Sequence, residues 1–263
     1  MSETTVEYTV DQGVARITLN RADKRNAFDE HVIAALTASL QRAEADPSAR
    51  IVVIAGAGKH FSAGADLGWM QRTARLSEAE NLADARQLSV LMQTLDQLGK
   101  PTLARVQGAA YGGALGLISC CDIAIASEQA RFCLSETRLG LAPAVIAPYV
   151  IRAIGARQAR RYFLSAEEFD APRAEQLGLV HQVVPEAELD ARIAQLCTTL
   201  RRNGPVALQA AKALVHRVGG QQPDDALREH TLTLIARLRV GAEGQEGLQA
   251  FFDKRPPAWT EPT

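Results

Sequence analysis

Residues 108–122, GAAYGGALGLISCCD, carry the first indication of what this chain is. They include four glycines and no charged side chain before the last residue. A glycine-rich turn between a strand and a helix exposes backbone N–H groups, and the helix start adds a partial positive charge. We therefore expect the N–H of Gly113 to lie at a helix start and to face negative charge on a ligand. Close packing of a helix on a sheet is the alternative use of these glycines.

A second candidate donor lies in HFSAGADLGWM, residues 60–70. Ala63 to Ala65 follow another transition from strand to turn, and Asp66 is placed to cap a helix that begins at Leu67. Two converging N–H donors form an oxyanion hole, in which removal of one donor typically costs about 2.7–4 kcal/mol of transition-state stabilisation. Capping alone is the alternative role of Asp66.

Strand and helix patterns alternate over the first half of the chain. VEYTVDQGVARITLN, centred on Gly13, predicts a hairpin. Predicted buried strands are 51–56, 102–108 and 123–126, and predicted helices cover 28–40, 82–98 and 112–120. This alternation predicts an α/β core. From Pro143 onward we expect helices, with one short strand at 180–184.

The last predicted helix carries an apolar stripe. Its members are Leu227, Leu234, Ile235 and Leu238. A stripe on a terminal helix has to be buried against something. Packing within the chain and contact with a neighbouring subunit are the two alternatives.

Composition and missing motifs exclude several classes of protein. The 263 residues carry 29 basic and 30 acidic side chains, so no overall field attracts nucleic acid. No stretch approaches the roughly 18 apolar residues of a membrane span, and the first residues are not a signal peptide. The four cysteines have neither disulfide nor metal-site spacing, which favours the cytoplasm. GxGxxG, GK[ST] and a complete GxSxG are absent, which argues against NAD binding, nucleotide hydrolysis and serine hydrolysis.

Four blocks of the sequence resemble, in order and spacing, the enoyl-CoA hydratase/isomerase (crotonase) family. They are HFSAGADL, KPTLARVQGAAYGGALGLISCCDIAIA, ARFCLSETRLGLAP and AEQLGLVHQVV. The resemblance implies a spiral of ββα units with the active site in residues 1–195, and a C-terminal helical region, 196–263, that trimerises, often into a dimer of trimers. It also implies an acyl-CoA substrate. Within the family the chain is most similar to bacterial methylglutaconyl-CoA hydratases of leucine degradation.

The resemblance also implies roles for individual residues. The N–H groups of Ala65 and Gly113 would hold the thioester oxygen as it gains enolate charge. Residues expected along the CoA moiety are Lys24, Arg25, Ala27, Ala63, Asp66 and Leu67. Lys254 would meet a CoA phosphate from a neighbouring subunit; a solvated surface charge is its alternative role.

Glu136, in LSETRLG, matches the family glutamate that exchanges a proton with C2 of the substrate. The second glutamate of the family's hydratases falls at Gly116, which has no side chain. Three explanations follow: isomerisation by Glu136 alone, hydration by Glu136 alone, or an inactive protein that binds CoA esters. The alternative is that Glu136 only opens a helix, since the helix dipole favours acidic residues at that position.

Hydration is the preferred explanation, with 3-methylglutaconyl-CoA or a related branched enoyl-CoA as the expected substrate. The missing side chain at Gly116 is expected to leave room for the branch. Arg138 is a candidate partner for a distal carboxylate, since arginine binds carboxylates in a two-pronged geometry. Tyr111 and Asp122 are not convincing as a second base, and Asp122 is expected to anchor the strand at Ile123. No metal and no cofactor beyond the CoA of the substrate are expected.

Overall fold

The computed structural model describes residues 4–260 and begins with the predicted hairpin. Strand β1 (Val6–Asp11) pairs antiparallel with β2 (Val14–Leu19). The turn residues Gln12 and Gly13 have φ of 46° and 77°. These left-handed conformations give a two-residue turn the twist that a hairpin requires, so the prediction around Gly13 is confirmed.

Parallel strands extend the hairpin into a six-stranded sheet. The added strands are β3 (Ile51–Gly56), β4 (Thr102–Val106), β6 (Ile123–Ser127) and β9 (Gln182–Val184). Their order across the sheet is β1-β2-β3-β4-β6-β9. Every residue of β3 is buried, as expected for a central parallel strand with both faces covered. The predicted strands are confirmed, the last of them shortened to three residues.

Two helices cover one face of this sheet. They are α1 (Glu30–Ala45) and α3 (Glu78–Asp96), and the short α2 (Leu67–Thr73) lies between them in sequence. Asp29 caps α1, and a capping box of Ser77 and Glu80 starts α3. The large apolar core lies between these helices and the sheet. Leu82, the first residue of the predicted helix 82–98, is 53% exposed because it lies in the first turns of α3, ahead of the part of the helix that reaches the core.

The other face of the sheet is covered by α8 (Leu189–Arg201). A smaller apolar cluster fills this interface: Ile51, Val53, Leu103, Ile125, Val184, Leu189, Ile193 and Cys197. The predicted boundary between residues 195 and 196 therefore falls inside a single helix that packs on the sheet. That division of the chain stays a prediction.

A second, three-stranded sheet lies beside the first and carries the glycine-rich segment. Its strands are β5 (Ala109–Tyr111), β7 (Arg131–Cys133) and β8 (Phe169–Asp170), in the order β5-β7-β8. The helices connected to it are α4 (Gly113–Cys120), α5 (Ala147–Ile154), α6 (Ala156–Ser165) and α7 (Ala171–Leu177). The predicted α/β class is confirmed by this alternation.

The chain ends in three helices that leave apolar side chains exposed. They are α9 (Pro205–Val218), α10 (Asp225–Val240) and α11 (Ala242–Asp253). The prediction that the stripe from Leu227 to Leu238 marks the last helix is wrong, because Gly241 ends α10 and α11 follows. Of that stripe only Leu227 is buried. Within residues 4–260, no helix is both long and apolar enough to cross a membrane.

Candidate active site

Strand β5 delivers the chain to the start of α4 through Gly112. This glycine has φ of 52° and ψ of −121°, a backbone conformation that side chains disfavour. Its N–H donates to the carbonyl of Cys133 at 2.9 Å, which fixes the turn against β7. The N–H of the next residue, Gly113, is consequently the first of the helix, as the sequence predicted.

The turn at residues 62–65 lies directly against β5. Ser62 donates its N–H to the carbonyl of Ala109 and accepts from the N–H of Tyr111, both at 3.0 Å. Gly64 has φ of 88°, and a methyl group placed on it would lie 2.9 Å from the carbonyl oxygen of Tyr111. Glycine is required there because a side chain would separate the two turns.

Two backbone donors on these touching turns have no acceptor among the residues that the structure describes. Phe28 donates its N–H to Gly64 and accepts from the N–H of Asp66, both at 2.7 Å, so the N–H of Ala65 points away from this pairing. No group within residues 4–260 accepts a hydrogen bond from the N–H of Ala65 or of Gly113. Ala65 is exposed and Gly113 is half-buried at a helix start, so both N–H groups are free to donate to a ligand or to water.

The carboxyl group of Glu136 lies beside the same turn. Glu136 opens a short 3-10 helix (Glu136–Leu139), and a methyl group placed on Gly112 would lie 3.2 Å from its Oε1. Its Oε2 is buried and has no hydrogen-bond partner within the described residues. Burial raises the pKa of Glu136, against a smaller lowering by its own backbone N–H. The carboxyl of Glu136 therefore lies at the turn that precedes α4; its convergence with the N–H groups of Ala65 and Gly113 stays a prediction.

The expectation of free space at Gly116 is wrong. A methyl group placed on Gly116 would lie 3.0 Å from Cβ of Ile146 and from Sδ of Met92, and closer still to Cγ2 of Ile146. Gly116 therefore does not line a void for a branched acyl chain, because Ile146 already occupies the volume. No local pattern distinguishes Ile146, since it lies 30 residues beyond Gly116 and contacts it only in the folded chain.

The neighbouring polar residues have partners of their own. Arg138 donates from Nη2 to the carbonyl of Ala166, so one end of its guanidinium is anchored at the end of α6. Tyr111 donates its hydroxyl to Glu168 at 2.5 Å. Burial and this carboxylate raise the pKa of Tyr111 to about 12, which disqualifies it as a base near neutral pH.

Asp122 is an anchor, as expected from the sequence. Its Oδ2 accepts from the N–H and hydroxyl of Thr102 and from the ammonium of Lys212. These contacts tie β4 and α9 to the segment that precedes β6. Asp122 therefore has a structural role, and it lies at the opposite end of α4 from Glu136.

The two predicted CoA segments meet at Asp66. Its Oδ1 caps α2, while its Oδ2 lies 3.3 Å from Nη2 of Arg21 and 3.6 Å from Nζ of Lys24. Burial acts to raise the pKa of Asp66, but N–H donors of α2 together with Lys24 and Arg21 outweigh it and leave the pKa below its usual range. The capping prediction for Asp66 is confirmed, and the loop 24–27 is joined to the turn 62–65.

Sequence reasoning missed Asn26, which shapes this loop. Arg25 and Asn26 have φ of 52° and 55°. The buried amide of Asn26 donates to the carbonyls of Ala57 and His60 and accepts from the N–H of Arg21. Asparagine tolerates the left-handed conformation better than most residues. An asparagine between a basic turn and an apolar helix was therefore the one feature of the sequence that could have indicated this loop residue.

The remaining predicted ligand residues differ in exposure. Lys24, Arg25, Ala65 and Leu67 are exposed, Ala63 is half-buried and Ala27 is buried. Lys254 is exposed at the end of α11, in a left-handed conformation, and its proposed role toward a neighbouring subunit stays a prediction. Over the described range 4–260, no three His, Cys, Asp or Glu side chains are grouped as a metal site would require.

Comparison with known proteins identifies the family. Residues 9–262 match the family described as Enoyl-CoA hydratase/isomerase. The chain is 35% identical over 249 residues to 2,3-dehydroadipyl-CoA hydratase of Escherichia coli K12, with 94% of each chain covered. It is 30% identical over 258 residues to trans-2-decenoyl-(acyl-carrier-protein) isomerase of Streptococcus mutans, covering 96% of this chain and 97% of that one.

A solved structure gives the same answer for the fold. The crystal structure of an enoyl-CoA hydratase from Shewanella pealeana matches with a TM-score of 0.95 at 47% identity, covering 98% of this chain and 97% of that one. The chain belongs to the enoyl-CoA hydratase/isomerase family and has the crotonase-type fold predicted from its sequence.

Proposed function

We propose that this member of the enoyl-CoA hydratase/isomerase family is a hydro-lyase that adds water to a 2-enoyl-CoA thioester and forms the 3-hydroxyacyl-CoA. One observation carries the proposal: two N–H groups, on Ala65 and Gly113, lack acceptors within residues 4–260 and lie on touching turns beside the buried carboxyl of Glu136. This set matches what the reaction needs, since the thioester oxygen gains charge while C2 gains a proton.

The proposed steps balance with a single carboxyl group. The thioester oxygen accepts hydrogen bonds from Ala65 and Gly113, and the oxygen of water attacks C3. The electron pair of the C2–C3 double bond moves to the thioester oxygen as an enolate, which two preorganised donors stabilise. Glu136 gives its proton to C2 and receives the proton that the attacking water releases.

The environment of Glu136 fits a proton donor. Desolvation disfavours the charged form of a carboxyl group, and burial raises the pKa of Glu136. A raised pKa increases the fraction of carboxyl groups that carry a proton near neutral pH, and only this form can donate to C2. A fully solvated glutamate would be almost entirely ionised near neutral pH.

The proposed substrate is 3-methylglutaconyl-CoA or a related branched enoyl-CoA, as in leucine degradation. Arg138 supports a distal carboxylate, since it lies two residues beyond Glu136 and only its Nη2 donates to Ala166. We expect Arg138→Met to weaken kcat/KM for 3-methylglutaconyl-CoA about tenfold relative to crotonyl-CoA, in line with loss of one charged hydrogen bond. An unchanged ratio between the two substrates would remove Arg138 from the proposal.

A Δ3,Δ2-enoyl-CoA isomerase is the second candidate. One observation favours it: the place of a second carboxylate at Gly116 is filled by Ile146 and Met92, and one glutamate suffices to move a proton between C2 and C4. The S. mutans relative bears an isomerase name. A protein that only binds acyl-CoA esters is the non-enzyme alternative.

The deciding experiment is a turnover panel in heavy water with crotonyl-, 3-hexenoyl- and 3-methylglutaconyl-CoA, analysed by mass spectrometry. Hydration predicts a hydroxylated product with deuterium at C2, and Glu136→Gln should abolish it. Double-bond migration without uptake of water would replace the proposal with the isomerase. Binding of all three esters without exchange at C2 would leave only the non-enzyme alternative.

We further propose a trimer, or a dimer of trimers, assembled through the C-terminal helices. The support is apolar exposure: Phe251 and Phe252 are 77% and 70% exposed at the end of α11. Lys254 lies two residues beyond Phe252, which suits its predicted contact with a CoA phosphate in a neighbouring subunit. The mass in light scattering should fall to that of one chain in Phe251→Ser/Phe252→Ser, and an unchanged mass would contradict this interface.

The proposed enzyme needs no cofactor beyond the CoA of its substrate, because the steps above use only amide donors, one carboxyl and water. A cytoplasmic location fits the cysteines. All four thiols are buried and unpaired, and burial raises the pKa of each. Unpaired thiols are typical of reducing compartments.

A further inference from the structure

Positions 116 and 146 exclude each other's side chains. Ile146 precedes the first residue of α5 and is 3% exposed. A methyl group on Gly116 would lie 3.0 Å from Cβ of Ile146 and closer still to its Cγ2. Protein interiors are packed too densely to absorb such an overlap without a shift. An isoleucine at 146 therefore requires glycine at 116 in this backbone.

This pair lies one helical turn from the proposed acid. A methyl group on Gly112 would touch Oε1 of Glu136 at 3.2 Å. Gly112 is the residue before α4 and Gly116 is the fourth residue of that helix, so about one helical turn, or about 5.4 Å along the axis, separates them. The side chain of Ile146 therefore lies along the same helix as the carboxyl of Glu136, about one turn further on.

The position of Ile146 is fixed by the elements around it. Arg152 of α5 forms an ion pair with the buried Asp96 at the end of α3, and Val150 is fully buried. Sδ of Met92, on α3, also lies 3.0 Å from the notional Gly116 methyl. The place of the missing carboxylate is thus filled by apolar side chains, of Met92 on α3 and of Ile146 just before α5.

We propose that Ile146 is a specificity-determining residue whose side chain presents an apolar wall to the acyl carbons beyond C2. The inference rests on the proposed function, since it takes the start of α4 as the thioester site. An apolar wall contacts a hydrocarbon branch at C3 and offers no group to activate water. One extra or missing methylene group in an apolar pocket changes selectivity between two substrates by about tenfold or more.

The packing half of the proposal is tested by a double-mutant cycle. Gly116→Ala, Ile146→Ala and the double variant are compared by urea unfolding. We expect Gly116→Ala to destabilise the chain clearly when residue 146 is isoleucine and much less in the Ile146→Ala background. Equal losses in both backgrounds would show that the two positions do not compete, and would overturn the inference.

The specificity half uses saturated thioesters, so that it does not depend on turnover. Dissociation constants of butanoyl-CoA and 3-methylbutanoyl-CoA are measured by calorimetry for the wild type, Ile146→Ala and Ile154→Ala. Ile154 is similarly buried, at the other end of α5, and is the matched control for lost apolar packing. We expect the ratio of the two constants to shift about tenfold away from the branched ester in Ile146→Ala alone, because the branch loses its apolar contact.

An unchanged ratio in Ile146→Ala, or the same shift in Ile154→Ala, would overturn the role of Ile146. A wild type that binds neither ester would overturn it as well. A wild type that binds both esters but hydrates no enoyl-CoA would refute the proposed hydration, while the shift in the binding ratio would still support Ile146.

Discussion

The polar groups at the two ends of helix α4 differ in whether they have hydrogen-bond partners. At its start, the N–H of Gly113 and Oε2 of Glu136 have no partner within residues 4–260. Just past its end, Asp122 accepts hydrogen bonds of 2.7–2.9 Å from Thr102 and Lys212. Nearly all buried polar groups in native proteins have hydrogen-bond partners. The end of α4 at which groups lack partners is therefore the one expected to bind a ligand. The satisfied end serves stability.

The largest effect should come from Glu136→Gln at the open end. Loss of a proton donor typically lowers a rate by 10²–10⁴-fold, and we expect exchange of the C2 proton to fall by about 10³-fold. Stability should hold or rise, because the substitution removes a buried carboxyl without losing a hydrogen bond of Oε2. Exchange is followed by NMR in heavy water and stability by urea unfolding.

Asp122→Asn at the satisfied end is the matched control. It should cost about 1–3 kcal/mol of unfolding free energy, because the donors on Thr102 and Lys212 lose a charged acceptor. Exchange per folded molecule should stay near the wild-type rate. If Asp122→Asn abolished exchange, or if Glu136→Gln lowered only stability, the contrast between the two ends would be wrong.

The second largest effect is expected from Gly64→Ala, which forces the two donor turns apart. The added methyl would lie 2.9 Å from the carbonyl oxygen of Tyr111, and a misplacement of about 1 Å costs roughly 10² in rate. Gly220→Ala is the control, since Gly220 also has a positive φ, of 76°, but has no heavy atom within 4 Å of the added methyl. Gly220→Ala should cause the same kind of backbone strain, about 1–3 kcal/mol, without lowering the reaction rate. Equal rate losses in the two variants would show that the contact between residue 64 and Tyr111 does not position the donors.

A smaller effect concerns pH. Burial raises the pKa of Glu136, so the folded chain holds this proton more tightly than the unfolded chain. The resulting stability is complete below the unfolded value of about 4.3 and is lost as pH rises to the folded value. Relative to Glu136→Gln, the wild type should therefore lose melting temperature across this window. If the melting temperatures of the two proteins changed with pH in the same way, the pKa of Glu136 would not be raised in the folded chain.

The smallest effect should be that of Tyr111→Phe. The hydroxyl of Tyr111 only donates to the exposed Glu168, and its pKa of about 12 rules out a role as base. We expect a loss of at most about 1 kcal/mol in stability and kcat and KM within about fivefold of wild type. A loss of turnover like that of Glu136→Gln would make Tyr111 part of the catalytic set.

Local patterns predicted most of the fold. The hairpin at Gly13, strands at 51–56 and 123–126 and the helix at 113–120 follow from periodicity and turn residues, because a strand or helix depends mainly on neighbours in sequence. The helix order at the C-terminus was misjudged, since Gly241 between α10 and α11 is a single break inside a long helical pattern.

The candidate site was predictable only in part. Gly113 stood out because a glycine turn before a helix has a physical purpose, and Glu136 because it matched a family position. Asn26 and Ile146 did not stand out, because their importance lies in contacts across long stretches of chain: Asn26 with His60, and Ile146 with Gly116.

By itself, the sequence determined the α/β alternation and the glycine turns that expose backbone donors, because both follow from short-range backbone preferences. Its resemblance to the family singled out Glu136 as the expected acid. The tertiary structure decided that the turns at Gly64 and Gly112 touch, that Oε2 of Glu136 is buried without a partner, and that Ile146 fills the place of a second acid. Dense packing between segments distant in sequence fixes these features, and no local pattern encodes which distant side chain fills a given space.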